Sequence, residues 1–349
     1  MPQHSNSTNS TKEKPVSCRG WDVAIIIVAY EGDAWIPSCM ESLQTSTNIN
    51  ALVLLVDNKD NTDLKSEKLG TLTVNCFKTP HPMGFADANN FALMKVPLSV
   101  PYISFLNQDT ISQKHWLEEG LECLRQNPQI GAVSPMLKNY QGTNWDHDFQ
   151  NSLCNQPDFK EKWLEETTST VATQHHIVDD IPATAMIIRT EIIKQTGPFD
   201  PFFGSYYEDY DLCMRIRKLN SQLAVCPLSK IFHYSGSISQ SPEARKRRSR
   251  WVIRNRTIHK IRKSQGPRLI LLWNFMILEA AIQITRSILK TPSSSPFRSV
   301  MMGYIDLIPV IPRLISKTLD LKKWNEFLKN ICWQSFATKP LFSNEDPTR

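Results

Sequence analysis

Apolar and polar positions along the first two-thirds of the chain switch between a continuous and a helical pattern. Residues 22–28 (DVAIIIV) form an unbroken apolar, β-branched run, as in a strand buried on both faces, and exit into Ala29-Tyr30-Glu31-Gly32. Trp35, Ile36, Cys39, Met40 and Leu43 follow at helical spacing. A second run, 51–56, ends in Asp57-Asn58, and a weaker one at 72–77 leads through 80–84 (PHPMG) into a helix predicted over 86–94. The run 102–106 ends at Asn107-Gln108-Asp109. Trp116, Leu117, Leu121 and Leu124 mark another helix, and 132–134 a further short strand. Residues 141–178 read as a long polar excursion with Trp145, Trp163 and the adjacent His175 and His176, to which no role is assigned. The short run 183–188 precedes a helix over 190–196, stopped by Gly197-Pro198.

Strands and helices alternating with short connections predict an α/β domain: an open, largely parallel sheet flanked by helices on both faces. Ligands of such sheets bind outside the carboxyl ends of the strands. Tyr30-Glu31, Asp57-Asn58 and residues 107–110 all fall at that edge, so three strand ends can meet around one ligand.

With 349 residues, the chain has room for one large domain and an appendage. A 41% hydrophobic and 21% charged composition is that of a soluble globular chain able to fill a core. The net charge of +6 conceals an uneven distribution: residues 245–268 carry 11 Lys/Arg and no acid. We therefore divide the chain into a disordered leader (1–20), a catalytic domain (21–240) and a basic, amphipathic helical C-terminal region (241–349). The leader is polar and lacks the apolar core of a signal peptide. The apolar stretch 269–284 is shorter than the roughly 20 residues a spanning helix needs and contains Asn274, Glu279 and Gln283. It reads as a helix packed on protein or lying at a membrane surface. Eight scattered cysteines without a C-x-x-C pair fit buried free thiols of a reducing compartment better than a disulfide framework.

Several clusters carry candidate chemistry, each with a plainer structural reading beside it. Asp109 at a strand end, beside amides, can ligate a hard divalent cation, or simply cap a helix. Glu208-Asp209-Tyr210-Asp211 opens a helix with buried face Leu212, Ile216 and Leu219. Acids there compensate the helix dipole, yet three in four residues repel one another and raise proton affinity, as a general base requires. His233 closes the apolar stretch 223–232 and could complete a metal site, bind phosphate, or serve only packing. Asp57 could accept a hydrogen bond from a pyrimidine N–H. Gly84 starts a helix whose first N–H groups favour an anion. No G-x-G-x-x-G follows the first strand, which disfavours a dinucleotide-dependent oxidoreductase.

In order along the chain, Ile27-Val28-Ala29-Tyr30, Val56-Asp57-Asn58, Gly84-Phe85-Ala86 with Asn89-Asn90, Leu106-Asn107-Gln108-Asp109-Thr110, Gly197-Pro198-Phe199-Asp200, Tyr207-Glu208-Asp209-Tyr210-Asp211-Leu212-Cys213 and His233 resemble the inverting glycosyltransferases of family 2, in particular their rhamnosyltransferase-like branch. Arg254-Asn255-Arg256 looks like the basic segment that commonly follows. The resemblance implies a GT-A (Rossmann-like) fold and a nucleoside-diphosphate sugar donor, dTDP- or UDP-linked, used with Mg²⁺ or Mn²⁺. It implies a donor site built from Ala29, Tyr30, Glu31, Asp57, Asn58, Gly84, Asn90, Asn107 and Asp109, with Tyr30 and Asp57 on the base and ribose. It makes Asp109 and His233 the metal ligands. Asp209 becomes the base that deprotonates the acceptor hydroxyl, with Asp211 the competing assignment and Glu208 beside them. Asn107 stands where the wider motif has an acid, Ala29 replaces the usual Asn, and Asp87 and Ala88 replace small glycines.

The expected acceptor is a glycan or lipid-linked hydroxyl in cell-surface polysaccharide or glycolipid assembly. The expected location is the cytoplasm, with the basic stretch and apolar helix (245–290) either on the inner face of the membrane or docked on the domain. No nucleic-acid partner is expected, since no aromatic stacking array accompanies the charge. A second functional reading keeps the fold without activity: a nucleotide-sugar-binding or membrane-associated scaffold.

Overall fold

A computed structural model of the chain describes residues 20–59, 61, 64–153, 175–234, 242–263 and 302–306. Most of the expected leader, Trp163 and the apolar stretch 269–284 lie outside the described residues. The described segments form one sheet flanked by helices. Its strands are β1 (Val23–Tyr30), β2 (Ala51–Lys59), β3 (Glu67–Leu69), β4 (Leu72–Lys78), β5 (Tyr102–Asn107), β6 (Thr110–Ser112), β7 (Ile130–Asn139), β8 (His176–Val178), β9 (Ile187–Arg189) and β10 (Gln222–His233). The spatial order is β3-β4-β2-β1-β5-β9-β7-β10-β6, with β8 paired to β10.

The helices are α1 (Ile36–Ser46), α2 (Phe85–Leu93), α3 (Trp116–Gln126), α4 (His147–Leu153), α5 (Thr190–Thr196), α6 (Glu208–Lys218) and α7 (Pro242–Lys263). The unbroken apolar runs became central strands: Val23 to Ile27 and Ala51 to Val56 are almost wholly buried. Parallel strands covered on both faces need such sequences, because neither face meets water.

The expected parallel arrangement holds for β4-β2-β1-β5 and for β7 with β10. Elsewhere the pairings are antiparallel but only two or three residues long, so the sheet is largely parallel by length of pairing, as expected. Only three residues long, β9 runs antiparallel to both β5 and β7. Arg189 pins it, donating from Nε to the Ile130 carbonyl at 2.9 Å and from Nη2 to that of Leu124. Strand β7 extends well past the three residues its hydropathy predicts, because its polar end, Lys138-Asn139, pairs with Phe232-His233. The excursion at 141–178 includes a helix, α4, and a short strand, β8. The register of β10 on β7 shifts between Cys226 and Lys230, where Pro227 cannot donate to the ladder. This irregularity lets one strand pair with β8 in its first half and β6 in its second.

The basic stretch resolves in favour of docking as far as Lys263. Asn255, Thr257, Ile258 and Ile261 of α7 are buried against the domain, while Arg245, Lys246 and Arg247 remain exposed. Arg262 ion-pairs with Asp200 Oδ2 at 2.8 Å and with Asp211 Oδ1 at 2.9 Å. Arg215 Nε meets Asp211 Oδ2 at 2.8 Å. Among the described residues, no helix is long and apolar enough to cross a membrane. Cys39, Cys123, Cys213 and Cys226 are buried free thiols, as expected, and Cys76 is half-buried and free.

Two substitutions test this packing. Asp211→Asn leaves Arg215 and Arg262 under-compensated in a dry site and should cost about 3–5 kcal/mol, read from urea unfolding. Gly84→Ala would place a Cβ 2.8 Å from the Gly204 carbonyl oxygen. Backbone cannot swing aside as a side chain can, so a loss of about 1–3 kcal/mol is expected in the same measurement.

Candidate active site

The carboxyl ends of β1, β2 and β5 converge through amide side chains. Gln108 locks the end of β1: its Oε1 accepts from the Tyr30 N–H at 2.9 Å and its Nε2 donates to the Tyr30 carbonyl at 3.0 Å. Asn61 donates to the Ala29 carbonyl at 2.9 Å and to Asp57 Oδ1 at 2.6 Å, and accepts from the Gly32 N–H at 2.7 Å. Asp57 is buried, with Lys78 Nζ 3.5 Å from its other oxygen. Glu31 adopts a left-handed conformation (φ 49°), is exposed, and pairs with Lys59, whose ammonium lies over the Tyr30 ring. Ala29, Tyr30, Glu31 and Asp57 are thus gathered at one edge.

Three other predicted donor-site residues have their polar groups engaged by the protein itself. Asn58 clamps Met83, donating to its carbonyl at 3.0 Å and accepting from its N–H at 2.8 Å. Asn90 holds Phe199 in the same two-handed way, at 2.8 and 3.1 Å. At the start of α2, after Gly84, the N–H groups of Phe85 and Ala86 donate to Ser205 Oγ and the Gly204 carbonyl. The free helix N-terminus expected there is therefore occupied by the chain's own loop, a correction to the anion-site reading.

Beyond β5, Asp109 and His233 come together from β5 and β10. His233 Nε2 lies 3.4 Å from Asp109 Oδ1 and 3.5 Å from Asn107 Nδ2. Its Nδ1 lies 2.9 Å from Asp146 Oδ2. All three of His233, Asp109 and Asp146 are buried. Burial favours the neutral ring, but hydrogen bonds and charge from Asp109 and Asp146 outweigh it and push the His233 pKa up to about 10.

Asp146, in the stretch read from sequence as a polar excursion, is the residue that reading missed. Its Oδ1 caps α4 by accepting from the Phe149 N–H at 2.8 Å, leaving Oδ2 for the imidazole. A capping aspartate was legible there, but its contact with His233 depends on how α4 docks. Gln108 stood in a recognised motif with no role assigned and Asn61 was not singled out, because both work largely on backbone atoms.

Asp109 and His233 offer one hard oxygen and one imidazole nitrogen, with the imidazole aimed by a carboxylate on its far side. This donor set suits a divalent cation whose remaining positions go to phosphate and water. Among the described residues there is no group of three or more His, Cys, Asp or Glu placed to hold a metal ion by themselves.

The acids of α6 sit in three different environments. Asp211 is sealed between Arg215 and Arg262; burial alone would raise its pKa, but the two guanidiniums hold it below the ordinary range. Glu208 is buried, and one of its oxygens has no hydrogen-bond partner among the described residues. Burial, and then the charge of Asp209, push it well above the ordinary carboxylate range. Asp209 is half-buried. Burial raises it to about 6 against the pull of the Tyr210 and Ala183 N–H groups, which it accepts at 2.9 and 3.3 Å. The 3-10 turn Ala183–Ala185 that holds it packs beside β5, which delivers Asp109.

Comparisons with known proteins bear on the family and the fold. A 157-residue segment is 26% identical to the "Pre-mycofactocin glycosyltransferase" of Mycobacterium tuberculosis, covering 44% of this chain and 31% of that protein. The chain thus matches less than a third of its curated relative's length. Among solved structures, the mannosyltransferase PcManGT from Pyrobaculum calidifontis, in complex with GDP-Man and Mn²⁺, superimposes with a TM-score of 0.50 at 14% identity, over 94% of this chain and 89% of that one. GalNAc-T7 with UDP, GalNAc and Mn²⁺ does so with a TM-score of 0.50 at 16% identity, over 73% and 54%. These distant likenesses establish a shared GT-A fold. The profile described as "Glycosyltransferase like family 2" matches residues 20–253, and the chain belongs to that family.

Proposed function

We propose that the chain transfers a sugar, with inversion, from a nucleoside-diphosphate donor to a hydroxyl of a glycan or lipid-linked acceptor, with Asp209 as the base. The observation that carries this reading is the separation of the three α6 acids. Only Asp209 combines partial exposure with a pKa near neutrality, where a base both exists as carboxylate and accepts a proton readily. Asp211, with both oxygens held by guanidiniums, is the weaker candidate. Glu208 is the weaker candidate too: it is buried, which with the charge of Asp209 pushes its pKa well above the ordinary range.

On the donor side, Tyr30 and Asp57 would take the base and ribose of a dTDP- or UDP-linked sugar, kept in place by Gln108, Asn61 and Lys78. A rhamnosyl donor follows from the resemblance of the motifs alone. Asp109 and His233 would hold Mg²⁺ or Mn²⁺, which when bound neutralises charge on the departing diphosphate. Asp146 would orient His233 for that role. The exposed Arg245, Lys246 and Arg247 would face an anionic acceptor or membrane surface.

The test is a donor-hydrolysis and transfer screen over nucleotide sugars with Mn²⁺, Mg²⁺ or EDTA. One nucleoside diphosphate should be released, and EDTA or Asp109→Ala should stop the release. Donor binding undetectable by calorimetry would sink the enzyme reading together with the nucleotide-sugar-binding scaffold, leaving the basic helix as the functional surface. Asp209→Asn should lower transfer about 10²–10⁴-fold and spare donor binding; unchanged turnover would remove Asp209 as base. Because the base acts deprotonated, kcat/KM should fall as pH drops through about 6. Asp146→Ala should weaken Mn²⁺ binding about 10–100-fold, read by electron paramagnetic resonance of free Mn²⁺ beside a nucleoside diphosphate.

A further inference from the structure

The chain reaches Asp209 through an unfavourable backbone. Asp200 caps the short 3-10 turn Pro201–Phe203, accepting from the Phe202 N–H at 3.0 Å. Gly204 then takes φ 67°, and Tyr206 and Tyr207 follow with φ of 70° and 73°. Left-handed conformations cost roughly 1–2 kcal/mol per non-glycine residue. Two tyrosines in a row persist there only if their surroundings over-determine them. Glu208 and Asp209 come next, so this bend sets where the first turn of α6 points.

The grip comes from a residue about fifty positions away. Asn255 of α7 is fully buried, and its Nδ2 lies 2.7, 2.8 and 2.7 Å from the carbonyl oxygens of Phe203, Ser205 and Tyr206. Its amide orientation is fixed from behind by Arg254, which donates to Asn255 Oδ1 at 2.7 Å and to the Phe202 carbonyl at 3.0 Å. From the opposite side, the start of α2 holds Gly204 and Ser205. One amide, aimed by one guanidinium, thus shares its two N–H bonds among three carbonyls of the bend leading into the acidic helix.

We propose that Asn255 is a positioning residue for sugar transfer: it touches neither Asp209 nor the donor-side residues, but fixes the bend that places Asp209. This rests on the reading of Asp209 as base. A one-ångström displacement of a catalytic group is enough to cost about 10²-fold in rate, whereas the donor-side contacts at β1, β2 and β5 involve no residue of α7.

The experiment measures transfer kinetics and calorimetric donor affinity for the full chain carrying Asn255→Ala, beside Ser249→Ala at an exposed position of the same helix. Asn255→Ala should lower kcat about 10–100-fold with donor affinity within about twofold of the original, while Ser249→Ala changes neither. A parallel fall in kcat and donor affinity would mark Asn255 as merely structural and overturn the proposal, as would an unchanged kcat. Should Asn255→Ala fail to melt cooperatively, Arg254→Leu, which frees the amide without deleting it, decides. A lowered kcat with donor affinity kept supports positioning, and an unchanged kcat refutes it. If Asp209→Asn transfers as well as the original chain, the base reading has failed and the proposal falls with it. If Asp209→Asn is inactive and Asn255→Ala is not, only the proposal fails.

Discussion

Asp200, Asp211, Arg215 and Arg262 are all nearly sealed from water, and none of these charges would be tolerated in that place alone. The four come from three pieces of chain: the turn after α5, one face of α6, and α7. Desolvating ions is costly, so the arrangement persists only when every partner is present at contact distance. The network therefore works as a coincidence detector in packing, in which the acidic helix, the preceding turn and the basic helix settle together or not at all. It also engages both oxygens of Asp211, which is why the reading proposed gives the role of base to Asp209.

The carboxyl edge of the sheet is organised on a different principle. There, amides dominate: Gln108, Asn61, Asn58 and Asn90 each join two backbone segments by donating and accepting at once. An amide can do both without bringing net charge to a site that, on the reading proposed, must receive a charged diphosphate. Carboxylates are fewer, and those at the edge itself, Glu31 and Asp57, each have a lysine beside them. Asp109 and Asp146 flank one imidazole, and Asp209 stands apart on α6.

Much of this was legible in the sequence, for physical reasons that can be named. Strands β1, β2 and β5 announce themselves because burial on both faces forces unbroken apolar runs, and the motifs at their ends identify the family. Strand β9 could not be foreseen as an antiparallel insert, since two isoleucines and an arginine carry no direction. Nor could the full length of β7, whose polar end is held by pairing alone. Among the site residues, Asp109, His233 and Asp209 stood out by type and position. Asp146 did not, because its use depends on the docking of a short helix. Gly84, Asn58 and Asn90 sat in recognisable motifs, yet the fold engages their polar neighbourhood in joining loops. The basic stretch offered docking and membrane contact equally; buried Asn255, Ile258 and Ile261 decide for docking as far as Lys263.

The clamp on the bend before α6 reads main-chain oxygens and ignores side chains. Carbonyls are the same whatever residue bears them, so this hold does not itself depend on which side chains stand at Phe203, Ser205 and Tyr206. Constraint on those side chains comes from elsewhere: Phe203 is buried and Ser205 Oγ accepts from the start of α2. A grip on the main chain and demands on side chains are thus separate, and the positions with demanding backbone, Gly204, Tyr206 and Tyr207, answer to the first.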